Sequence, residues 1–292
     1  MRQKKTTLIT DLDNTLFDWV ELWVHCFSAM LGEIVRISGV PRETLFPQIR
    51  AVHQKHGTSE YSFLIEELPA LKAVLGGRPT LEVFAPAIDA YRRERRKHLA
   101  LYPTVAETLL KIRGRGTRIV AYTESMAFYS NYRVRRLGLD GVLDYIFSPA
   151  DHVLPGNLAP EDLRFYPASN YELKYTKQHF TPSGSKKPDV EVLSSIIADL
   201  GLQKADCVYV GDNLMKDISM ALDCGVADVW AKYGQAHKRP EYKLLQDVTH
   251  WTDEDVQREQ RLKEREDVHP TYTLTNTFSE ILDLFEFEAF HG

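Results

Sequence analysis

The chain has 292 residues, of which 43% are hydrophobic and 26% charged, with a formal net charge of -5. That length can bury a full core in one large domain or two modest ones, and the composition excludes a disordered chain. The slight acidity offers no basis for nucleic-acid binding, and no apolar run approaches the roughly 18 residues that a membrane span needs.

Neither nucleic acid nor membrane is therefore expected as a partner. Cys26, Cys207 and Cys224 are far apart and form no CxxC pair. They read as reduced thiols of a cytosolic protein rather than a zinc site or disulfide framework. The N-terminal stretch MRQKKTTLITDLD is basic but lacks the apolar core of a signal peptide.

In chain order, residues 6–11 (TTLITD) read as a first buried strand. Residues 18–100 then carry helix-period apolar positions and few strand signals, which predicts a helical insert. Asp18 and Glu21 have capping-box spacing, so a helix is expected from Trp19. On the helix that follows, His25 reads as a packed or partly exposed histidine. At the end of the insert, YRRERRKH (residues 91–98) reads as a solvated face. Further strands are expected at 117–123, 145–148, 207–212 and 226–231, with helices at 103–114, 125–137, 188–200 and 215–224. Strands uniformly apolar and alternating with helices predict a parallel sheet covered on both faces.

The resulting expectation is an α/β protein with a Rossmann-like core formed by residues 1–17 and 101–292, and a helical domain formed by 18–100. Residues 149–186 are long for a connection. The alternation of Tyr171, Leu173 and Tyr175 predicts a hairpin there, serving as a lid or a subunit contact, with packing on the core as the alternative. WTDEDVQREQRLKERE reads as a charged helix, and the C-terminal stretch from Thr271 as strand, turn and final helix, with Thr277 and Glu280 at capping-box spacing.

The first strand ends in Asp11 and Asp13. Two like charges this close repel unless a cation or a proton separates them. The strand at 207–212 ends in Asp212, with Asp217 following, and that at 117–123 ends in Thr123, with Glu124 and Ser125 behind it. Lys186 and Lys187 stand before the helix at 188. The C-terminal strand edges of a parallel sheet lie together and border its ligand crevice, so these groups converge. Oxygen ligands suit Mg²⁺, and a lysine with a hydroxyl suits a phosphate oxygen.

DLDNT, YTES, KKP and GDNLMKD, in this order and each at a strand end or helix start, resemble the four motifs of the haloacid dehalogenase superfamily in its phosphatase branch. The resemblance implies a Mg²⁺-dependent phosphatase acting on a small phosphorylated metabolite through an aspartyl-phosphate, with residues 18–100 as its cap. It implies Asp11 as nucleophile, Asp13 as acid and base, and Mg²⁺ held by the Asp11 side chain, the Asp13 carbonyl and Asp212. Thr123 and Lys187 would hold the phosphoryl oxygens, and Asp217 would orient Lys187 or a metal-bound water. The Lys-Pro pattern favours Lys187 over Lys186.

A phosphomutase carries the same motifs, and a non-catalytic phosphate-binding protein is a further alternative. Dehalogenation is disfavoured, because members with that activity lack the acid/base aspartate. Glu124 departs from the Asn common at its position and bears on substrate shape. In the insert, Arg50, His53, His56 and Tyr61 are candidates for substrate contact, set against their being a polar helix end.

Overall fold

The computed structural model of the protein describes residues 2–151, 167–235, 242–251, 257 and 268–291. Strand β1 (Gln3–Lys5) precedes β2 (Thr7–Thr10), the first strand of the main sheet. The others are β3 (Arg118–Tyr122), β4 (Tyr145–Ser148), β5 (Lys177–Phe180), β6 (Cys207–Gly211), β7 (Ala227–Ala231) and β8 (Tyr272–Leu274). They run in the order β5-β4-β3-β2-β6-β7-β8, and every neighbouring pair is parallel. The uniformly apolar runs are the inner strands. Leu8 and Ile9 of β2 and Val208, Tyr209 and Val210 of β6 are all fully buried, as strands covered on both faces require. The fold is α/β and Rossmann-like.

The chain divides into two compact units. One comprises residues 1–18, 100–235 and 262–292 and holds the sheet; the other comprises 19–99 and 236–261. The second unit contains α1 (Trp19–Ser38), α2 (Arg42–His56), α3 (Leu64–Glu67), α4 (Pro69–Leu75), α5 (Thr80–Val83) and α6 (Ala85–His98). Within it α1 packs along α6, and the helix Tyr242–Val248 packs on α2 and α1. Residues 236–261 thus group with the helices, not with the sheet where the sequence reading put them. The apolar contacts of the helix Tyr242–Val248 decide this, with Leu245 and Val248 buried.

Three other expectations are corrected. Residues 171–176 form no strand; the strand begins one residue later as β5, an edge strand parallel to β4. Tyr171 stacks on Phe128 at 5.1 Å and lies 5.5 Å from Tyr132, so it packs on α8 (Ala127–Arg136), which follows α7 (Val105–Gly114) in the sheet unit. Tyr175 is 73% exposed, so the alternation does not define one apolar face. The C-terminal stretch forms the expected strand and helix, β8 and Ile281–Leu284, but does not stop there: β9 (Phe285–Phe287) follows and pairs in parallel with β1 in a second, two-stranded sheet. The Glu280 half of the capping box is present, since its carboxylate accepts the Thr277 N–H at 3.2 Å. Residues 163–166, within the expected hairpin region, and most of the expected charged helix lie outside the described residues.

The three cysteines are buried free thiols. No described helix is long and apolar enough to cross a membrane.

Candidate active site

Strand β2 lies between β3 and β6, and the chain crosses from one side of it to the other between β5 and β6. This is the switch point at which a parallel sheet opens a crevice at its C-terminal edge. Asp11, Thr123 and Asp212 follow directly on β2, β3 and β6.

At the centre is Lys187. Its side chain is 2% exposed, and its Nζ donates to Asp11 Oδ1 at 2.6 Å and to Asp217 Oδ1 at 2.9 Å. The amine lies over the rings of Tyr122, at 4.8 Å, and Tyr209, at 5.6 Å. Burial works against its charge, but Asp11 and Asp217 outweigh that and raise Lys187 well above its ordinary pKa. Thr15 Oγ1 donates to the other Asp11 oxygen at 3.1 Å. Asp11 is pushed up to about 7, chiefly by burial, with Lys187 pulling it back. Burial also raises Asp212 well above the carboxylate range, and Asp217 and Asp11 add to the effect.

Asp217 reaches the lysine because the chain after β6 turns wide. Residues Leu214–Ile218 form a π-helical turn in which the Ile218 N–H reaches the Asn213 carbonyl. Asn213 Oδ1 caps this turn, accepting from the N–H groups of Met215 and Lys216. Tyr209 donates to Asp217 Oδ1 at 2.8 Å, and the Asn213 N–H donates to Oδ2 at 3.1 Å. The packing leaves no room for a side chain at residue 211. A Cβ on Gly211 would stand 2.3 Å from Asp217 Cγ.

Asp13 has a separate set of partners. Its Oδ2 accepts from Ser125 Oγ at 2.6 Å and Thr123 Oγ1 at 3.3 Å, and its Oδ1 from Arg133 Nη1 at 3.2 Å. Arg133 is buried, with its guanidinium 5.7 Å from the Phe17 ring centre. Between Asp13 and this group the backbone turns through Asn14, at φ 60°, a left-handed conformation that Asn tolerates better than most residues. The Asn14 carbonyl presses on Gly234, where a Cβ would come within 1.7 Å of it.

Glu124 does not add its charge to the crevice. Oε2 pairs with Lys216 Nζ at 2.7 Å and Oε1 accepts the Lys187 N–H at 3.1 Å. Although burial pushes Glu124 up, Lys216 holds it below its usual pKa.

The carboxylates of Asp11, Asp212 and Asp217 each offer an oxygen within 4.8 Å of the others. Three oxygen donors facing one lysine leave excess negative charge, and this donor set fits a hard divalent cation such as Mg²⁺.

The candidates in the helical unit are placed differently. His53 is 1% exposed, and its Nδ1–H donates to the Val248 carbonyl at 2.6 Å. Burial lowers its pKa to about 4. It is a core histidine, and the substrate-contact expectation fails for it. His56 and Tyr61 stack at 3.6 Å, and both bond Glu67 Oε1, at 2.8 and 2.9 Å. Glu67 went unnoticed in the sequence because it lies one helix further on. Arg50 is partly exposed on α2. Arg133 was also missed; its only sequence signal is a charged residue on the otherwise core-facing side of α8, beside Tyr129, Ser130 and Tyr132.

A family model described as HAD-hydrolase-like matches residues 185–276. A glyceraldehyde 3-phosphate phosphatase of Methanopyrus kandleri is 22% identical over 231 residues, which is 78% of this chain and 84% of that protein. A solved 2-haloacid dehalogenase of Pseudomonas syringae covers 97% of this chain and 98% of its own, with a TM-score of 0.54 and 20% identity. A Bacillus subtilis structure determined with bound magnesium covers 97% and 99%, with a TM-score of 0.52 and 14% identity. Fold, motifs and relatives together define a Rossmann-like hydrolase. The family model over residues 185–276 and the phosphatase-named relatives support a haloacid dehalogenase superfamily hydrolase.

Proposed function

We propose that the protein is a Mg²⁺-dependent phosphatase that hydrolyses a small phosphomonoester through an aspartyl-phosphate on Asp11. The observation that carries this reading is the buried contact of Lys187 with Asp11 and Asp217, beside Asp212 at the end of the adjacent strand. The Methanopyrus relative, named as a phosphatase, agrees with it.

In the first step an Asp11 carboxylate oxygen bonds to phosphorus as the ester P–O bond breaks. Asp13 gives its proton to the departing alkoxide. In the second step Asp13 takes a proton from water, the resulting hydroxide attacks phosphorus, and Asp11 is released with inorganic phosphate. Lys187 and the Thr123 hydroxyl hold phosphoryl oxygens and offset charge in the transition state. Asp217, fixed by Tyr209 and the Asn213 N–H, aims Lys187. Asp11, Asp212 and the Asp13 carbonyl would hold Mg²⁺, which when bound supplies positive charge to the phosphoryl group. With Glu124 turned towards Lys216, the phosphate meets no additional carboxylate there. The helical unit, acting as a cap, selects the substrate, with Arg50 and the His56–Tyr61 pair as its candidate contacts.

The test is phosphate release from a panel of phosphorylated metabolites, glyceraldehyde 3-phosphate among them, with Mg²⁺ and with excess chelator. Turnover of at least one ester with Mg²⁺ and none with chelator is expected. Failure of the whole panel together with a generic aryl phosphate would overturn the reading.

A further inference from the structure

A second cluster of ligating side chains lies wholly within the helical unit. Glu21 and His25 are one turn apart on α1, and Glu94 and His98 one turn apart on α6, so each pair projects from one face of its helix. Because α1 packs along α6, the pairs meet. The His25 and His98 rings stack with centroids 3.8 Å apart and planes within 10°. The Nδ1 of His98 lies 3.5 Å from Glu21 Oε1, and its Nε2 lies 3.4 Å from Glu94 Oε2. One donor atom from each of Glu21, His25 and His98 falls within 4.8 Å of the other two.

We propose that Glu21, His25 and His98 form a binding site for a divalent transition-metal ion of the Zn²⁺ type, with Glu94 behind His98 as its outer-shell carboxylate. Two imidazoles and one carboxylate are the donor set of open zinc sites, and they select against Mg²⁺, which takes oxygen ligands. Donor nitrogens in a tetrahedral zinc site stand about 3.3 Å apart, given Zn–N bonds of about 2.0–2.1 Å. The cluster therefore closes on an ion by small side-chain rotations.

The arrangement around His98 is the second observation. A metal-ligating histidine typically donates its other ring N–H to a carboxylate, which fixes the ring. Here one nitrogen faces Glu21 and the opposite one faces Glu94. His98 Nε2 is shielded from solvent and makes no hydrogen bond. A metal on Nδ1 places the proton on Nε2 and gives it Glu94 as acceptor. Glu94 also lies 3.5 Å from Lys97 Nζ and 3.5 Å from Arg93 Nε, but both partners are largely exposed and these pairs yield readily. Glu21 and His98 also stand next to two of the chain crossings between the units, at 18–19 and 99–100. An ion here ties together the first turn of α1 and the last turn of α6, the two ends of the insert 19–99.

The experiment is equilibrium dialysis of the full chain against Zn²⁺ in excess Mg²⁺, which saturates the Asp11–Asp212 carboxylates. The wild type is expected to bind one more Zn²⁺ than His25→Ala, a change at an exposed position that leaves the fold intact. Glu94→Gln should weaken that site by about 10- to 100-fold without removing it. Zn²⁺ should also raise the Tm of the wild type above that of His25→Ala at equal concentration. Equal Zn²⁺ stoichiometry and equal Tm shifts in wild type and His25→Ala would overturn the proposal, as would Glu94→Gln binding as tightly as wild type.

Discussion

Single residues carry the argument at the crevice. Asp11 is buried, its carboxylate is held by Lys187 and Thr15, and nothing on the strand depends on its charge for packing. Asp11→Asn should therefore fold as wild type by circular dichroism and lose turnover by about 10³-fold or more. Activity within tenfold of wild type would remove Asp11 as nucleophile. Glu124 is a different case, because its role is to neutralise Lys216 and anchor the Lys187 backbone. Both side chains of that pair are about one-third exposed, at 34% and 31%, so solvent screens it. Glu124→Gln keeps the Lys187 N–H bond and should cost only about 1 kcal/mol in chemical denaturation. Gly211→Ala should cost more, because the new methyl group displaces Asp217 and with it Lys187. Overpacking of this kind costs roughly 1–3 kcal/mol, and kcat should fall along with stability.

At the scale of elements, His53 links α2 to the helix Tyr242–Val248, and it does so as a neutral ring. Its folded pKa, about 4, lies below its ordinary value of 6.5. Below pH 6.5 the unfolded chain binds a proton that the folded chain refuses, so this residue's contribution is intact above pH 6.5 and lost as pH falls to about 4. The full loss is roughly 3 kcal/mol. Denaturant midpoints measured between pH 7 and 4.5 should fall, and His53→Met, though weaker at pH 7, should show a shallower slope. A parallel pair of curves would exclude His53 as the source.

The same scale separates what was legible in the sequence from what was not. The strands β2, β3, β4, β6 and β7 were legible because they are inner strands, apolar on both faces, and the motif residues stand at their ends. The edge strand β5 (KQHF) was not, because an edge is half-solvated and carries polar residues. The alternation just before it is Tyr171 packing on α8, not a strand face. Strand β9 was read as helix because ILDLFEF has an apolar repeat that suits either state, and only its pairing with β1, far away in sequence, decides the matter. Glu67, Arg133 and the His25–His98 stack likewise depend on tertiary neighbours that no local pattern specifies.

For the whole molecule, the clustered carboxylates make stability respond to the cation. A ligand that binds the folded chain and not the unfolded one raises Tm with its concentration. Mg²⁺ should raise Tm in a saturable way, and Asp212→Asn should abolish most of that increment, measured by calorimetry without any substrate. An unchanged increment in Asp212→Asn would place the cation elsewhere.

The order of strands also bears on how the chain is made. Of the main sheet's strands β2 is made first, yet its neighbour β6 begins about 200 residues later, at Cys207. At a synthesis rate of about 5–20 residues per second, Leu8 and Ile9 wait roughly 10–40 s for the second wall that covers them. The helices α1 to α6 emerge during that interval and can collapse on one another by local contacts. The central strand cannot. During translation the nascent chain therefore carries a strand that is wholly buried in the folded protein without its second neighbour, which makes β2 a natural binding site for a holdase chaperone and the region where synonymous changes in translation speed should most affect yield.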